Sequence, residues 1–241
     1  MVTVTTLGFC LGALLIGGAG IFLLLHLGDH RELRALLRVR PAPIAEWGRG
    51  RVAAECHTEY GPAGRQTAPV SGEDCAWYRV RLLREPSRRS SDDSHDVLLD
   101  ITAPGRPALA DASGRVPVDP RRLESPSRAD PAATETTTLI YRRAAPVRLP
   151  AVVPPDIVEG LRAGERLELV EVRLPRGVAV FVLGRATADG LVPSFFTTRT
   201  RAETIAARVA DIGLIRRVIV GFALTGLLLA GGSAIVLRSL V

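Results

Sequence analysis

Lysine is missing from this chain. All 31 basic residues are arginine. Alongside abundant alanine, glycine, proline and valine, that bias reads as GC-rich codon usage rather than as a functional signal. Cysteine and histidine are scarce, at three and four residues. They form no C-x-x-C, no H-E-x-x-H and no paired-cysteine array, which excludes the common zinc sites. Cys10 falls in an apolar run, so only Cys56 and Cys75 remain for a folded domain. Two scattered cysteines do not make a secreted disulfide framework, and free buried thiols are expected. No G-x-S-x-G elbow, P-loop or dinucleotide fingerprint occurs. Ser71-Gly72 sits in PVSGEDC, a turn between strands with no identifiable base beside it. On these absences the chain is expected not to be an enzyme, with no catalytic residue, metal ligand or cofactor assigned.

Two residual clusters fail on geometry. Cys56 and His57 are adjacent on an expected strand, so their side chains point to opposite faces and do not ligate one metal. Asp92, Asp93, His95 and Asp96 lie in a Ser/Arg-rich loop, where solvated charge is the expected state.

What the sequence does contain is apolar length. Leu7 to Leu25 and Val218 to Leu237 carry no charged residue. Each approaches the ~20 residues that cross ~30 Å of hydrocarbon at 1.5 Å per residue. The segment MVTVTT ahead of the first run has no basic residue, no A-x-A-like site follows it, and almost no apolar run precedes Cys10. An uncleaved anchor is therefore expected in place of a signal peptide or lipoprotein leader.

The net charge of +6 invites a nucleic-acid reading until it is divided. Residues 28–51 hold six arginines against three acids, and residues 196–217 hold five against two. The body between them is close to neutral, with nineteen arginines against twenty acids. The excess thus lies beside the apolar runs, where it sets topology and meets anionic lipid; a nucleic-acid surface would carry it on the body. Only Arg238 is basic in either tail. The positive-inside rule then places the central domain in the cytoplasm.

Along the chain, His30 to Val39 reads as a short amphipathic helix ended by Pro41 and Pro43. The period then changes. Residues 50–56, 75–84, 97–101, 137–143, 165–174 and 178–186 read as strands. Tyr78, Val80 and Leu82 face one way, with Arg79 and Arg81 the other. The pattern from Arg166 to Val172 is less pure, as for a strand covered on both faces. LPRG (174–177) has the chemistry of a tight turn and predicts a hairpin between its flanking strands. Stretches 85–96 and 119–137, rich in Pro, Ser and charge, are expected to be mobile loops. Ile205, Val209 and Ile212 mark a helix over 199–213, either continuous with the second span or lying at its surface. Gly226, Ala230 and Ala234 recur on one face of that span, as Gly8 and Gly12 do in the first, a spacing that lets helices approach closely.

The expected architecture is α+β: a β-rich domain inserted between two transmembrane helices. The boundaries are 5–27 for the first span, 28–45 for a juxtamembrane helix and linker, 46–198 for the β-rich domain, 199–213 for an amphipathic helix and 214–237 for the second span.

With that order in place a resemblance emerges, carried by EWGRGRVAAE (46–55), TAPVSGEDCAWYRVRL (67–82), VPVDP (116–120) and ERLELVEVRLPRGVAVFVLGRA (165–186) between two anchors. It resembles the GIDE domain of the mitochondrial ubiquitin ligase activator family and its bacterial relatives. The matching positions are Ala68, Pro69, Ser71, Gly72 and Cys75; Asp119 and Pro120; Glu165 and Arg166; and Val182, Leu183 and Gly184. Eukaryotic members act as ubiquitin ligases through a zinc-binding RING after the second helix. Here four residues follow Leu237, and they carry none of the Cys/His ligands of a RING. The absence of lysine also leaves no side-chain acceptor for ubiquitin.

The resemblance therefore implies a bacterial, RING-less relative: a membrane-anchored, non-enzymatic binding or scaffold domain. Its partners would be the lipid bilayer, other membrane proteins or a small ligand, and not nucleic acid. The alternative is a ligase-like protein whose RING is absent from this chain.

Overall fold

The computed structural model describes residues 2–88, 94–123, 131–143 and 149–239. They form an α+β structure with a β-rich central region between an N-terminal and a C-terminal apolar helix. The chain divides into two compact units, Met1–Arg38 with Arg201–Val241, and Val39–Thr200.

In the helical unit, α1 (Val2–Leu25), α2 (Leu27–Arg38) and α4 (Arg201–Ser239) pack on one another, and two of the helices are long and apolar enough to cross a membrane. The segments 199–213 and 214–237, separated on sequence, are one unbroken helix over Arg201–Ser239. No proline interrupts that stretch, and its apolar stripe runs straight into the apolar run.

The small residues meet where their spacing suggests. A Cβ on Gly12 would sit 2.5 Å from the Ala230 backbone nitrogen and 2.6 Å from the Gly226 carbonyl oxygen. One on Gly8 would meet the Ser233 hydroxyl at 2.5 Å, so Ser233, not Ala234, completes the seam. The backbones approach because no side chain stands between them.

The second unit is two antiparallel sheets. One has the order β11 (Gly190–Thr197), β10 (Ala179–Thr187), β1 (Gly50–Glu59), β6 (Ala108–Ala110), β7 (Arg115–Pro117). The other runs β5 (Asp96–Thr102), β4 (Trp77–Glu85), β9 (Arg166–Leu174), β8 (Glu135–Arg142). A ribbon of β2 (Gln66–Thr67) and β3 (Asp74–Cys75) and a short helix α3 (Pro155–Glu159) complete it.

Two cores follow from the two faces of β4 and β9. Trp77, Val172 and Leu174 join Ala54, Val180, Val182 and Leu191 of the five-stranded sheet in one cluster. On the other face Val80, Leu82, Leu167 and Leu169 pack with Tyr141, Val153 and Leu161. The impure alternation of β9 thus has its cause: both faces are covered. Arginine and acid pair across the four-stranded sheet. Arg84 lies opposite Asp96, Arg166 opposite Glu85 and Arg173 opposite Glu135 in register, and each pair is bonded.

The expected hairpin at 174–177 is a correction. The turn exists, with Gly177 at φ 79°. But β9 is flanked by β4 and β8, and β10 by β1 and β11, so each strand already has two hydrogen-bonded neighbours. The turn carries the chain from one sheet to the other. What fastens it is Thr58 of β1. Its hydroxyl donates to the Pro175 carbonyl at 2.6 Å and accepts from the Val178 N–H at 2.9 Å. Its backbone N–H donates to the Val178 carbonyl at 3.0 Å, and its carbonyl accepts from the Gly177 N–H at 2.8 Å.

The two stretches expected as mobile loops are also narrower than drawn. Glu85 and Asp96 end and begin strands, and residues 135–137 open β8. Asp96 is buried and accepts from the Ser87 hydroxyl at 2.6 Å and the Arg88 N–H at 2.8 Å. Residues 89–93 and 124–130, the middles of those stretches, lie outside the described residues. Sequence reading also passed over β11, where Gly190 and Pro193 mask a strand pattern.

Candidate binding recess

The β1 residues Glu55, Cys56 and His57 lie beside Ala179–Phe181 of β10, with Cys56 opposite Val180 and His57 opposite Ala179. Beyond Thr197 the chain leaves β10, and past Ala110 it leaves β1. The uncovered strip is a recess of 370 Å³ walled by Asp111 and Thr198–Thr200. A second hollow of 310 Å³ shares Glu55 and Asp111 with it and extends over Pro41–Pro43, Ala112 and Ser113. Together they make one groove with an apolar floor and carboxylates at the middle.

Its wall is built by the segment Asp111-Ala112-Ser113-Gly114. One Asp111 oxygen accepts from the Ser113 N–H (2.7 Å), the Ser113 hydroxyl (2.6 Å) and the Gly114 N–H (2.9 Å), an Asx turn closing the β6–β7 hairpin. Its other oxygen accepts from the Ile44 N–H at 2.8 Å, and the Ser113 hydroxyl accepts from the Ala45 N–H at 3.1 Å. Trp47 Nε1 donates to the Ala42 carbonyl at 3.1 Å, and the Ala42 N–H donates to the Ala53 carbonyl at 3.0 Å. The Pro41–Pro43 strip is thereby held against the sheet.

Burial alone would raise the Asp111 carboxyl, but the Ser113 hydroxyl and the N–H groups of Ile44, Ser113 and Gly114 outweigh it and hold the group below its ordinary range. Cys56 goes the other way: burial, aided by the Asp111 charge, pushes its thiol up to about 12. A Cys, a His and two acids around one recess suggest nucleophilic chemistry, yet the thiolate is the nucleophile and this thiol stays protonated at neutral pH. The Asp111 carboxylate is likewise occupied by the turn. What remains is a shaped surface with an apolar base, lined by Glu55, Asp111 and Arg199.

The residues singled out by family resemblance lie elsewhere, in three groups. Pro69, Ser71 and Gly72 form the loop between β2 and β3, where the N–H groups of Val70 and Ser71 donate to the buried Glu171 carboxylate at 2.7 and 3.1 Å. Cys75 is buried beside them as a free thiol, pushed by burial and by the Glu171 and Asp74 charges to about 11. Asp119 caps a 3-10 turn at Pro120–Arg122 and its N–H donates to the Leu191 carbonyl of β11 at 2.9 Å. Gly184 faces the same strand at a bulge, where a Cβ would lie 2.5 Å from the Val192 carbonyl oxygen. Glu165 is bonded to Arg88 and to the Arg162 N–H, and Arg166 to Glu85.

Each of these residues holds backbone or a neighbouring strand, and none of the nine lines the groove. Sequence reasoning missed Glu55, Asp111 and Pro41–Pro43 as groove residues; the D-A-S-G turn was the one available signal. No group of three or more His, Cys, Asp or Glu with metal-site geometry occurs among the described residues.

Comparison with known proteins brings no relative: no family model matches the chain, and no curated protein or solved structure is significantly similar to it.

Proposed function

We propose that this chain is a membrane-anchored, non-enzymatic binding or scaffold protein, in which α1 and α4 cross the bilayer and the β-rich unit recruits a partner on the cytoplasmic side. We further propose it as a relative of the GIDE domain, a reading supported by the motif order in the sequence. The observation that carries the binding role is the groove bounded by Glu55 and Asp111. Its walls include Pro41–Pro43 and Thr198–Thr200, the chain segments that lead from α2 and into α4. At no more than ~3.6 Å per residue, a partner held there is tethered within a few residues' reach of both anchors. Burial keeps the Cys56 thiol protonated, which removes it as a nucleophile in the groove. Arginine flanking the helices on the loop side, and nearly absent from the tails, supports the cytoplasmic orientation.

A photo-cross-linking side chain at position 112, on the groove rim, tests the role in intact cells. One at position 138, on exposed β8, serves as control. A defined adduct from position 112 that is missing from position 138 is expected. The same adducts from both positions, or none from either, would remove the groove as a partner site. Orientation is read separately, from a single cysteine at position 94 in a cysteine-free background. It should react with a membrane-impermeant maleimide only after lysis.

A further inference from the structure

The helical unit carries a second concavity, and its chemistry differs from that of the β-rich groove. α1, α2 and α4 enclose 420 Å³, within the roughly 300–1,000 Å³ of ligand pockets. Leu23, Ile219 and Val220, residues of the two uncharged runs, line one end; His26, His30 and Arg216 lie beyond them, with Ile212 and Ile215 on the same α4 wall. From Leu23 to His30 the rise is ~10 Å. The polar side chains therefore lie within one leaflet's depth of the aliphatic end.

His26 and His30 are four residues apart and share one helix face. Asp29 holds the His26 ring through a 2.6 Å contact to Nδ1. Two α4 arginines are committed: Arg201 donates to the Leu36 carbonyl at 2.8 Å, and Arg208 reaches Glu32 at 3.4 Å. Arg216 differs, for no carboxylate among the described residues pairs with it. An aliphatic slot with a guanidinium and two imidazoles on its wall complements an amphiphile with an anionic head. Guanidinium and phosphate make charge-assisted bidentate bonds, and a free phosphate would leave the aliphatic walls without an occupant.

We propose that this groove holds one anionic phospholipid, its phosphate on Arg216 with His26 and His30 beside it and an acyl chain along Leu23, Ile219 and Val220. The site rests on the reading that both helices cross the membrane. It adds a selective lipid position to the non-specific attraction of the flanking arginines.

The test is native mass spectrometry of the full-length chain in detergent, titrated with phosphatidylglycerol or with phosphatidylcholine of the same acyl length. One phosphatidylglycerol should bind about tenfold more tightly than phosphatidylcholine. Arg216→Gln should erase that preference, Arg216→Lys should keep most of it, and Arg217→Gln, next in sequence but outside the groove, should leave it intact. Ile219→Trp, which fills the aliphatic end, should weaken both lipids. Equal binding of the two lipids to the unaltered chain, or equal losses in Arg216→Gln and Arg217→Gln, would overturn the proposal. Resistance of the chain to carbonate extraction from membranes is scored apart from this, so failure of the spanning reading is distinguishable from failure of the lipid site.

Discussion

Replacing Thr58 by valine removes one oxygen and keeps the shape. Thr58 is 0% exposed, and its hydroxyl both donates to the Pro175 carbonyl at 2.6 Å and accepts from the Val178 N–H at 2.9 Å. The two bonds span 117 and 120 residues and tie β1 to the turn that changes sheets. Each such bond contributes about 1 kcal/mol net, and stranding its buried partner raises the cost to about 1–3 kcal/mol. Thr58→Val should therefore destabilise the β-rich unit by about 2–4 kcal/mol. Thr58→Ser keeps both bonds and loses one methyl, about 0.8 kcal/mol. Both tryptophans, Trp47 and Trp77, lie in that unit, and Trp77 is 1% exposed. Urea unfolding followed by tryptophan fluorescence in detergent micelles thus reads the unit alone. A Thr58→Val midpoint matching the parent, or a serine variant as weakened as the valine one, would refute the assignment of the crossover to this hydroxyl.

Three further outcomes follow from the same coordinates. Gly12→Leu drives a side chain into the Ala230 and Gly226 backbones, an overpacking cost of about 1–3 kcal/mol, whereas Gly20→Leu meets nothing within 4 Å. The yield of a Gly8→Cys/Ser233→Cys disulfide, with Cys10 replaced, should fall in the first and persist in the second. Arg88 bonding, with the Arg162 N–H assisting against burial, holds Glu165 at about 2, well under the ordinary 4.5. A depressed carboxyl adds stability that is complete above its unfolded pKa and lost as pH falls through the folded one. The urea midpoint should therefore drop from about pH 4.5 toward pH 2, and Arg88→Gln should lower it at neutral pH and flatten that decline; an unchanged acid profile would count against the pair. Burial holds Cys56 near 12 and Cys75 near 11, so neither should react with a polar disulfide reagent at pH 8 until urea is added. Labelling of either thiol within minutes in the folded protein would contradict their placement.

Much of this structure was legible because the signals are local. Uncharged runs report helices that are long and apolar enough for a membrane, since that property is a sum over neighbours in sequence. Small residues every four positions marked faces that let helices approach closely, and Gly12 meets Gly226 and Ala230 there, though Ser233 takes the place of Ala234. Alternation around Tyr78 identified the buried face of β4, and the mixed pattern of β9 signalled its second covered face. The groove was not legible, because residues 41–43, 55, 111 and 198–200 come from four distant segments and only the D-A-S-G turn at 111–114 carries a signal.

The sequence by itself determined the two apolar helices, the long strands and the turn at 174–177, since hydropathy, period and the chemistry of Pro175 and Gly177 act over a few residues. Only the tertiary structure decided which strands bond. A turn reports that the chain reverses, not which sheet receives the next strand; here β10 pairs with β1, more than a hundred residues upstream, and Thr58 fastens the turn. It also decided that Glu171, a charge in a strand, should be buried, because the N–H groups that satisfy it come from a loop a hundred residues away. Hydrogen bonds and desolvation depend on distance in space, and that distance exists only once the two sheets have met.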